Sequence, residues 1–190
     1  AIRANYLRSL DFGKFEFSGG HMQFHPGLYD TLNFVIADFL LKIFPEKLIG
    51  IKHLTNLTFS FLTLVGLFLI SEKIFNKEVA YLTAFLCLIN PFFFGHISIN
   101  PKDTIISFAL IWFTYSAYMY CVNFEKKRLN FLILASFFMG FGLGTRVSFF
   151  VATIPIILSA LIFIMTSYAK YRKYQTFKTI FLDILIFFSI

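Results

Sequence analysis

The residues of this chain most able to do chemistry, Asn100, Lys102 and Asp103, lie in a short polar segment between two apolar stretches. Neither stretch, residues 79–95 or residues 104–124, contains a charged side chain. Ionisable side chains are costly at membrane depth, and where they occur they tend to mark functional sites. A lysine there can bind a phosphate, and the adjacent carboxylate can hold a divalent metal ion, a sugar hydroxyl or an acceptor group. We therefore predict that this segment forms part of a site, with a metal ion as the one cofactor considered.

The same charged residues also have a structural interpretation. Lys102 and Asp103 can form a local ion pair that closes a helix hairpin, with Pro101 and Asp103 beginning the next helix. His96 lies shortly before Asp103 and can assist proton transfer, although a plain hydrogen bond is the favoured role. The sequence leaves the structural and the functional interpretations open.

Arg146 is a second isolated charge, and it follows a run in which Gly140, Gly142 and Gly144 alternate with other residues. Its guanidinium can bind a phosphodiester through two hydrogen bonds. The structural alternative is a tight turn flanked by an arginine that extends to the membrane surface. No strand precedes the glycines, so close helix packing explains them better than a nucleotide loop does.

His21 and His25 lie four residues apart, a spacing that can hold a metal ion on a helix. Gly19, Gly20 and Pro26 favour a loop here, so metal binding is the less favoured interpretation. The sequence contains no His-Glu-x-x-His motif, no phosphate loop and no recognisable Ser-His-Asp arrangement. A second carboxylate for acid–base chemistry is not obvious either.

The composition indicates an all-α polytopic membrane protein. Hydrophobic residues make up 58% of the 190 residues and charged residues 14%, with a mean hydropathy of +0.75. The net charge of +7 does not indicate nucleic-acid binding, because the basic residues lie in short loops rather than in a stripe among surface aromatics.

Five stretches are apolar and close to the roughly 20 residues that cross a bilayer as a helix. A sixth begins near residue 179, which predicts a bundle of membrane helices over residues 54–190. The chain begins without Met and stops inside an apolar run, so we expect an internal piece of a longer membrane protein. The five stretches are residues 54–71, 79–95, 104–124, 129–145 and 147–168.

Residues 1–53 are predicted to form a juxtamembrane segment. Within it, residues 28–44 carry Asp30, Asp38 and Lys42 among apolar residues at helical spacing. Charges of this kind disfavour insertion, so the pattern predicts an amphipathic helix that lies on the membrane surface.

The distribution of basic residues predicts the orientation. Nine Lys and Arg residues lie in the loops at residues 72–78, 125–128 and 169–178. The opposite short loops hold Lys102 and Arg146 alone. Cytoplasmic loops are the basic ones, so Lys102, Arg146 and the juxtamembrane segment are predicted on the extracytoplasmic face.

The order of these features resembles the polyprenyl-phosphate-dependent membrane glycosyltransferases of the GT-C superfamily. The nearest branch contains the protein O-mannosyltransferases and the lipid A aminoarabinose transferase. Residues 6–13 resemble its first extracytoplasmic juxtamembrane helix, and His25-Pro26-Gly27-Leu28-Tyr29 lies where the branch often has Lys-Pro-Pro-Leu-Tyr. The other matching segments are residues 52–56, 89–91, 100–103 and 142–146.

This resemblance implies inverting transfer of a hexose or pentose from a polyprenyl-phosphate carrier to a lipid, glycan or protein acceptor. It implies a carboxylate base, and cations that stabilise the leaving phosphate. The family's catalytic Asp-Glu pair would fall just before Ala1, so Asp103 is the catalytic candidate within this chain. The substrate- and phosphate-binding candidates are Lys102, Arg146, His25, Asn100 and His96, with His25 in place of the usual Lys.

The predicted location is the bacterial inner membrane, with the site on the periplasmic face. One alternative is a transporter or flippase that uses Lys102 and Arg146 as anion sites. Such a protein should show paired broken helices and internal repeats, and the sequence shows neither. A non-catalytic membrane subunit is the third interpretation.

Overall fold

The computed structural model describes residues 27–43, 48–99, 101–123, 128–171, 182–187 and 189. Within these ranges the chain is helical and contains no strand, which confirms the all-α prediction. A short helical segment, residues 182–187, follows the last of the assigned helices. Those helices are α1 (Leu28–Leu41), α2 (Leu48–Ile74), α3 (Lys77–Ile89), α4 (Pro91–Ile99), α5 (Pro101–Val122), α6 (Arg128–Thr145) and α7 (Phe149–Tyr171).

Four of these helices, α2, α5, α6 and α7, are long and apolar enough to cross a membrane. The prediction of a polytopic membrane protein is therefore confirmed. Helix α2 begins at Leu48, so it runs through the predicted boundary between residues 1–53 and the bundle. The helix starts six residues before the first predicted span, which was taken to begin after the polar residues Lys52 and His53.

The predicted continuous span over residues 79–95 is wrong. The chain forms two shorter helices there, α3 and α4, separated at Asn90. The Asn90 side-chain Oδ1 accepts hydrogen bonds from the backbone N–H groups of Phe92 and Phe93, at 2.9 and 3.3 Å. Pro91 lacks an N–H group and suits the first position of a helix. An asparagine cap followed by proline therefore ends one helix and starts another inside an apolar run.

Helix α5 occupies the centre of the bundle and packs against α2, α6 and α7. Phe108 on α5 makes edge-to-face ring contacts with Phe59 and Phe138. The Trp112 indole donates a hydrogen bond to the backbone oxygen of Leu62 at 3.0 Å. A residue larger than Gly66 would clash with Ile111, since an added Cβ would lie 2.7 Å from its Cγ2 atom. Helices α2 and α5 are thus held side by side at close range.

The two ends of the bundle carry different groups. Leu28, at the start of α1, packs against Gly144 near the end of α6. At the opposite end, the Tyr118 hydroxyl donates to the backbone oxygen of Lys73 at 3.2 Å, and α6 begins there at Arg128. Lys73 and Arg128 thus lie at one end of the bundle, and Leu28 and Gly144 lie at the other.

Helix α1 has the exposed apolar stripe expected of a surface helix. Val35 and Phe39 on α1, and Ile43 just after its end, recur every four residues and are all exposed. Asn33 and Ala37 are buried on the other side, where α1 packs against α2 and α6. Its 14 residues are fewer than the roughly 20 that cross a bilayer as a helix.

Candidate active site

An ion pair joins Asp103 and Arg146, two of the charged residues that the sequence analysis identified as site candidates. Arg146 Nη1 lies 3.1 Å from Asp103 Oδ1, although the residues are 43 positions apart in the chain. The Arg146 side chain is 53% exposed and the Asp103 side chain 33% exposed. An exposed pair of this kind contributes about 0–1 kcal/mol to stability. The pair is accessible to a ligand and contributes little to holding the fold together.

Local structure explains how each partner is positioned. Asp103 lies in the first turn of α5, where its charge is favourable to the helix dipole. The Arg146 N–H donates to the Gly142 oxygen at 2.9 Å, and the Arg146 oxygen accepts from Phe149 N–H at 3.0 Å. Arg146 is therefore fixed in the turn between α6 and α7, as the structural interpretation predicted.

Lys102 lies one residue before Asp103, in the same turn of α5, and is partly buried. It makes no ion pair with any residue that the structure describes, so the predicted local pair between Lys102 and Asp103 does not form there. Lys102 and Arg146 thus place two positive charges close to the Asp103 carboxylate at this end of the bundle. The arrangement favours an anion.

The alternating glycines pack closely, as predicted, at two of their three positions. A side chain at Gly142 would overlap the Phe149 ring, and a Cβ at Gly144 would lie 3.2 Å from Leu28. Gly140 has no such neighbour within 4 Å. The contacts of Gly142 and Gly144 let α7 and α1 approach the end of α6, and they hold the turn that presents Arg146.

A cavity of about 570 Å³ opens beside Asp103. Its volume is in the range typical of small-molecule sites. Three structural elements form its walls: α2, the junction between α3 and α4, and the first turns of α5. The lining residues are Ser60, Cys87, Asn90, Phe92, Phe93, Asp103, Thr104 and Ser107.

Four polar residues of this cavity were not singled out as site residues from the sequence: Ser60, Asn90, Thr104 and Ser107. Ser60 is 1% exposed, and Asn90 caps α4 at the helix junction. The sequence did hold a weak signal for Ser60, because Asn56 and Ser60 lie four residues apart within an apolar span. That spacing places both side chains on one helix face.

The remaining predicted site residues cannot be placed. His25 and Asn100 lie outside the described residues, and so does His21. His96 is in α4, but its side chain is outside the described part of the chain. Within the described ranges, no group of three or more His, Cys, Asp or Glu side chains is arranged to hold a metal ion.

Tyr29 supplies a hydroxyl in the first turn of α1, one residue after the Leu28 contact with Gly144. Burial raises the pKa of the Tyr29 hydroxyl, and the nearby Asp30 carboxylate raises that pKa as well. Tyr29 therefore stays neutral at physiological pH and can donate a hydrogen bond.

A second charged cluster, at the opposite end of the bundle, was missed by the sequence analysis. The Asp183 carboxylate, 3% exposed, accepts hydrogen bonds on Oδ2 from the Tyr120 hydroxyl at 2.8 Å and from Arg128 Nε at 3.0 Å. Asp183 lies in an apolar stretch that was noted only as the start of a sixth span. Nothing in its local sequence indicates partners 55 and 63 positions away.

The family model of dolichyl-phosphate-mannose-protein mannosyltransferases matches residues 31–190. The matched range contains all four apolar helices, the Asp103–Arg146 pair and every residue that lines the cavity. No curated protein and no solved structure matches the chain. The match covers most of the chain and agrees with the resemblance and with the helical membrane fold. The chain therefore belongs to the dolichyl-phosphate-mannose-protein mannosyltransferase family, whose members are polyprenyl-phosphate-dependent glycosyltransferases of the GT-C type.

Proposed function

We propose that the protein transfers a sugar from a polyprenyl-phosphate carrier to an acceptor on the extracytoplasmic face of the bacterial inner membrane. The observation that carries this proposal is the Asp103–Arg146 pair beside a cavity, at the bundle end that also holds Lys102. A carrier phosphate must lie near the bilayer surface because its lipid tail stays in the hydrocarbon. Cations at a helix end are well placed to receive it.

Arg146 suits the phosphate because of its geometry. A guanidinium has five N–H donors in a planar fork, and the contact with Asp103 engages Nη1. The rest of the fork can bind phosphate oxygens, while Asp103 holds the guanidinium in place. Lys102 adds a second positive charge in the same region. His25, Asn100 and His96 stay predictions as further substrate contacts.

The proposed reaction is a single displacement at the anomeric carbon. The acceptor oxygen forms a bond to that carbon, the bond to the carrier phosphate oxygen breaks, and the electron pair leaves on the phosphate. A carboxylate takes the acceptor proton. By family resemblance a carboxylate serves as this base, and Asp103 positions the sugar or the acceptor. A divalent ion beside Asp103 is the one cofactor that we propose to test, by adding and chelating Mg²⁺ and Mn²⁺.

The donor site can be tested with purified full-length protein and labelled polyprenyl-phosphate mannose. We expect Arg146→Ala to raise the donor KM about tenfold, which equals about 1.4 kcal/mol. Arg146→Lys should recover part of that loss, because the charge remains while the fork is removed. Asp38→Asn, which removes an exposed carboxylate on α1, is the matched control and should leave the donor KM unchanged.

Two outcomes would contradict this proposal. If wild-type protein consumes neither mannose-loaded nor aminoarabinose-loaded carrier, the glycosyltransferase proposal fails for these donors. If Arg146→Ala leaves the donor dependence unchanged, Arg146 is a helix-end residue and the phosphate binds elsewhere.

The proposed face can be tested with single cysteines and a thiol reagent that does not cross membranes. Cysteine at position 102 should react from outside intact cells, and cysteine at position 127 should react after the membrane is opened. The reverse pattern would place Asp103 and Arg146 on the cytoplasmic side. The wild-type cysteines, Cys87 and Cys121, must first be replaced by alanine.

One observation favours a transporter or flippase as the second candidate. The junction at Asn90 divides an apolar run into two short helices, and discontinuous helices are typical of transporter binding sites. Transporters usually carry a matching break in a second repeat, and among the described helices α7 passes Pro155 without a break. Uptake or flipping of a lipid-linked sugar by proteoliposomes, without bond cleavage, would favour this candidate.

A further inference from the structure

We infer that the deep end of the cavity beside Asp103 holds the sugar of the donor, and that the Ser60 hydroxyl is a specificity-determining contact to it. This inference rests on the proposed function and extends it from the phosphate to the sugar. Ser60 lines the cavity and is 1% exposed. Its Oγ atom has no hydrogen-bond partner within the described part of the chain.

The neighbouring hydroxyls on α2 show why this is unusual. Thr55, Thr58 and Thr63 each donate to the backbone oxygen four residues earlier, at 2.8–2.9 Å. Such bonds within the helix are the usual way to satisfy a hydroxyl in an apolar environment. Ser60 could make the same bond and does not. Buried polar groups are nearly always paired, so the Ser60 hydroxyl is available for a ligand.

Other polar groups around Ser60 suit a ligand that carries several hydroxyls. Asn56 lies one turn earlier on the same helix face, and its buried Oδ1 has no partner among the described residues. Asn90, which lines the same cavity, uses its Oδ1 to cap α4 and keeps its NH₂ group as a donor. Donors and acceptors in a largely apolar pocket are what sugar recognition requires.

The depth of Ser60 favours the sugar over the acceptor. Ser60 is 1% exposed, whereas the Asp103 side chain is 33% exposed, and both residues line the cavity. Ser60 therefore lies on the enclosed side of the cavity and Asp103 on its accessible side. A sugar attached to a phosphate at the cavity mouth reaches inward, whereas an acceptor arrives from the aqueous side.

The test compares binding of bare polyprenyl phosphate and polyprenyl-phosphate mannose to full-length protein by calorimetry. Wild-type protein should bind the mannose-loaded carrier more tightly. Ser60→Ala should weaken binding of that carrier about threefold to tenfold, as expected for one lost hydrogen bond, and leave the bare carrier unaffected. Ser60→Cys, which keeps the size of the side chain, should show the same pattern.

Ser116→Ala is the matched control. Ser116 is completely buried on α5, does not line the cavity, and donates to the Trp112 oxygen at 2.7 Å. We expect it to change neither affinity. We also expect Ser60→Ala to melt at the wild-type temperature or above, because it removes a buried polar group that has no described partner.

Several outcomes would overturn the sugar contact. Ser60→Ala would contradict the inference if it weakened binding of both carriers equally or weakened binding of neither. It would also do so if its effect were confined to the acceptor KM. Equal binding of both carriers by wild-type protein would also do so. If Arg146→Ala weakens the bare carrier in these cases, the phosphate site of the proposed function still stands. If wild-type protein binds neither carrier, the proposed function and this inference both fail.

Discussion

The two charged clusters of this protein, one at each end of the bundle, are built from the same kinds of side chain but differ in their roles. Each joins an Asp on one helix to an Arg from a distant part of the chain, at 3.0–3.1 Å. The Asp103 carboxylate is 33% exposed beside a large cavity, whereas the Asp183 carboxylate is 3% exposed and also accepts a bond from Tyr120. Solvent and ligands can compete for the first pair, but the second pair is enclosed by the fold.

This difference in burial indicates different roles. Breaking an enclosed pair leaves a desolvated charge without a partner, which is strongly destabilising. Breaking an exposed pair changes stability little, since water replaces the lost partner. The Asp183 cluster therefore holds α5, α6 and the segment at residues 182–187 together, and the Asp103 pair is free to serve a substrate.

The largest effect is expected from removal of the enclosed carboxylate. Asp183→Ala should lower the free energy of unfolding by about 3 kcal/mol, at the low end for a buried pair because Arg128 is 31% exposed. Tyr120→Phe removes one hydrogen bond and should cost about 1 kcal/mol. Denaturant unfolding in a fixed detergent, followed by tryptophan fluorescence, measures both. If the unfolding free energy of Asp183→Ala equals that of wild type, the Asp183 cluster does not hold these segments together.

A smaller effect, on activity rather than stability, is expected at the exposed pair. Asp103→Asn keeps the size of the side chain and removes its charge, so transfer should fall on the order of 100-fold as the substrate loses its positioning. The unfolding free energy should change by less than about 1 kcal/mol. Transfer from polyprenyl-phosphate mannose and denaturant unfolding are measured on the same preparations. Near-normal transfer would reduce Asp103 to a helix-start residue.

The two residues of the exposed pair were identified from the sequence as site candidates, although their contact was not predicted, whereas both residues of the enclosed pair were missed. Asp103 and Arg146 each interrupt long uncharged stretches, and the positive-inside rule placed both on one face. The distance between the two side chains could not be read from the sequence pattern. Asp183 was not identified because its partners, Tyr120 and Arg128, lie far away in the chain. Its carboxylate is buried beside them only because the helices pack together.

The helix junction and the cavity show the same limit. Asn90 followed by Pro91 is a recognisable helix start. The span over residues 79–95 was nevertheless predicted as continuous, because hydropathy reports how apolar a segment is and not where its backbone breaks. The sequence holds only a weak signal for Ser60, its spacing of four residues from Asn56, because a serine in an apolar helix usually bonds to its own backbone. Its unpaired hydroxyl becomes apparent only when the contacts are known.

The smallest effect is expected at Lys102, and it tests whether the exposed end attracts the carrier over a distance. Lys102 makes no described ion pair, so Lys102→Ala removes a charge without breaking a contact there. The donor KM should rise about threefold at low salt, and the difference from wild type should shrink at about 1 M salt, where the Debye length is about 3 Å. Lys42→Ala, on α1 beside Asp38, is the matched control and should show no such dependence. If the donor KM of Lys102→Ala stays raised at high salt, Lys102 contacts the phosphate directly. If the donor KM is unchanged at every salt concentration, Arg146 is the cation that binds the carrier. The loss of unfolding free energy caused by Asp183→Ala should change less with the same change in salt, because the Asp183 carboxylate is 3% exposed and screening acts mainly on charges in solvent.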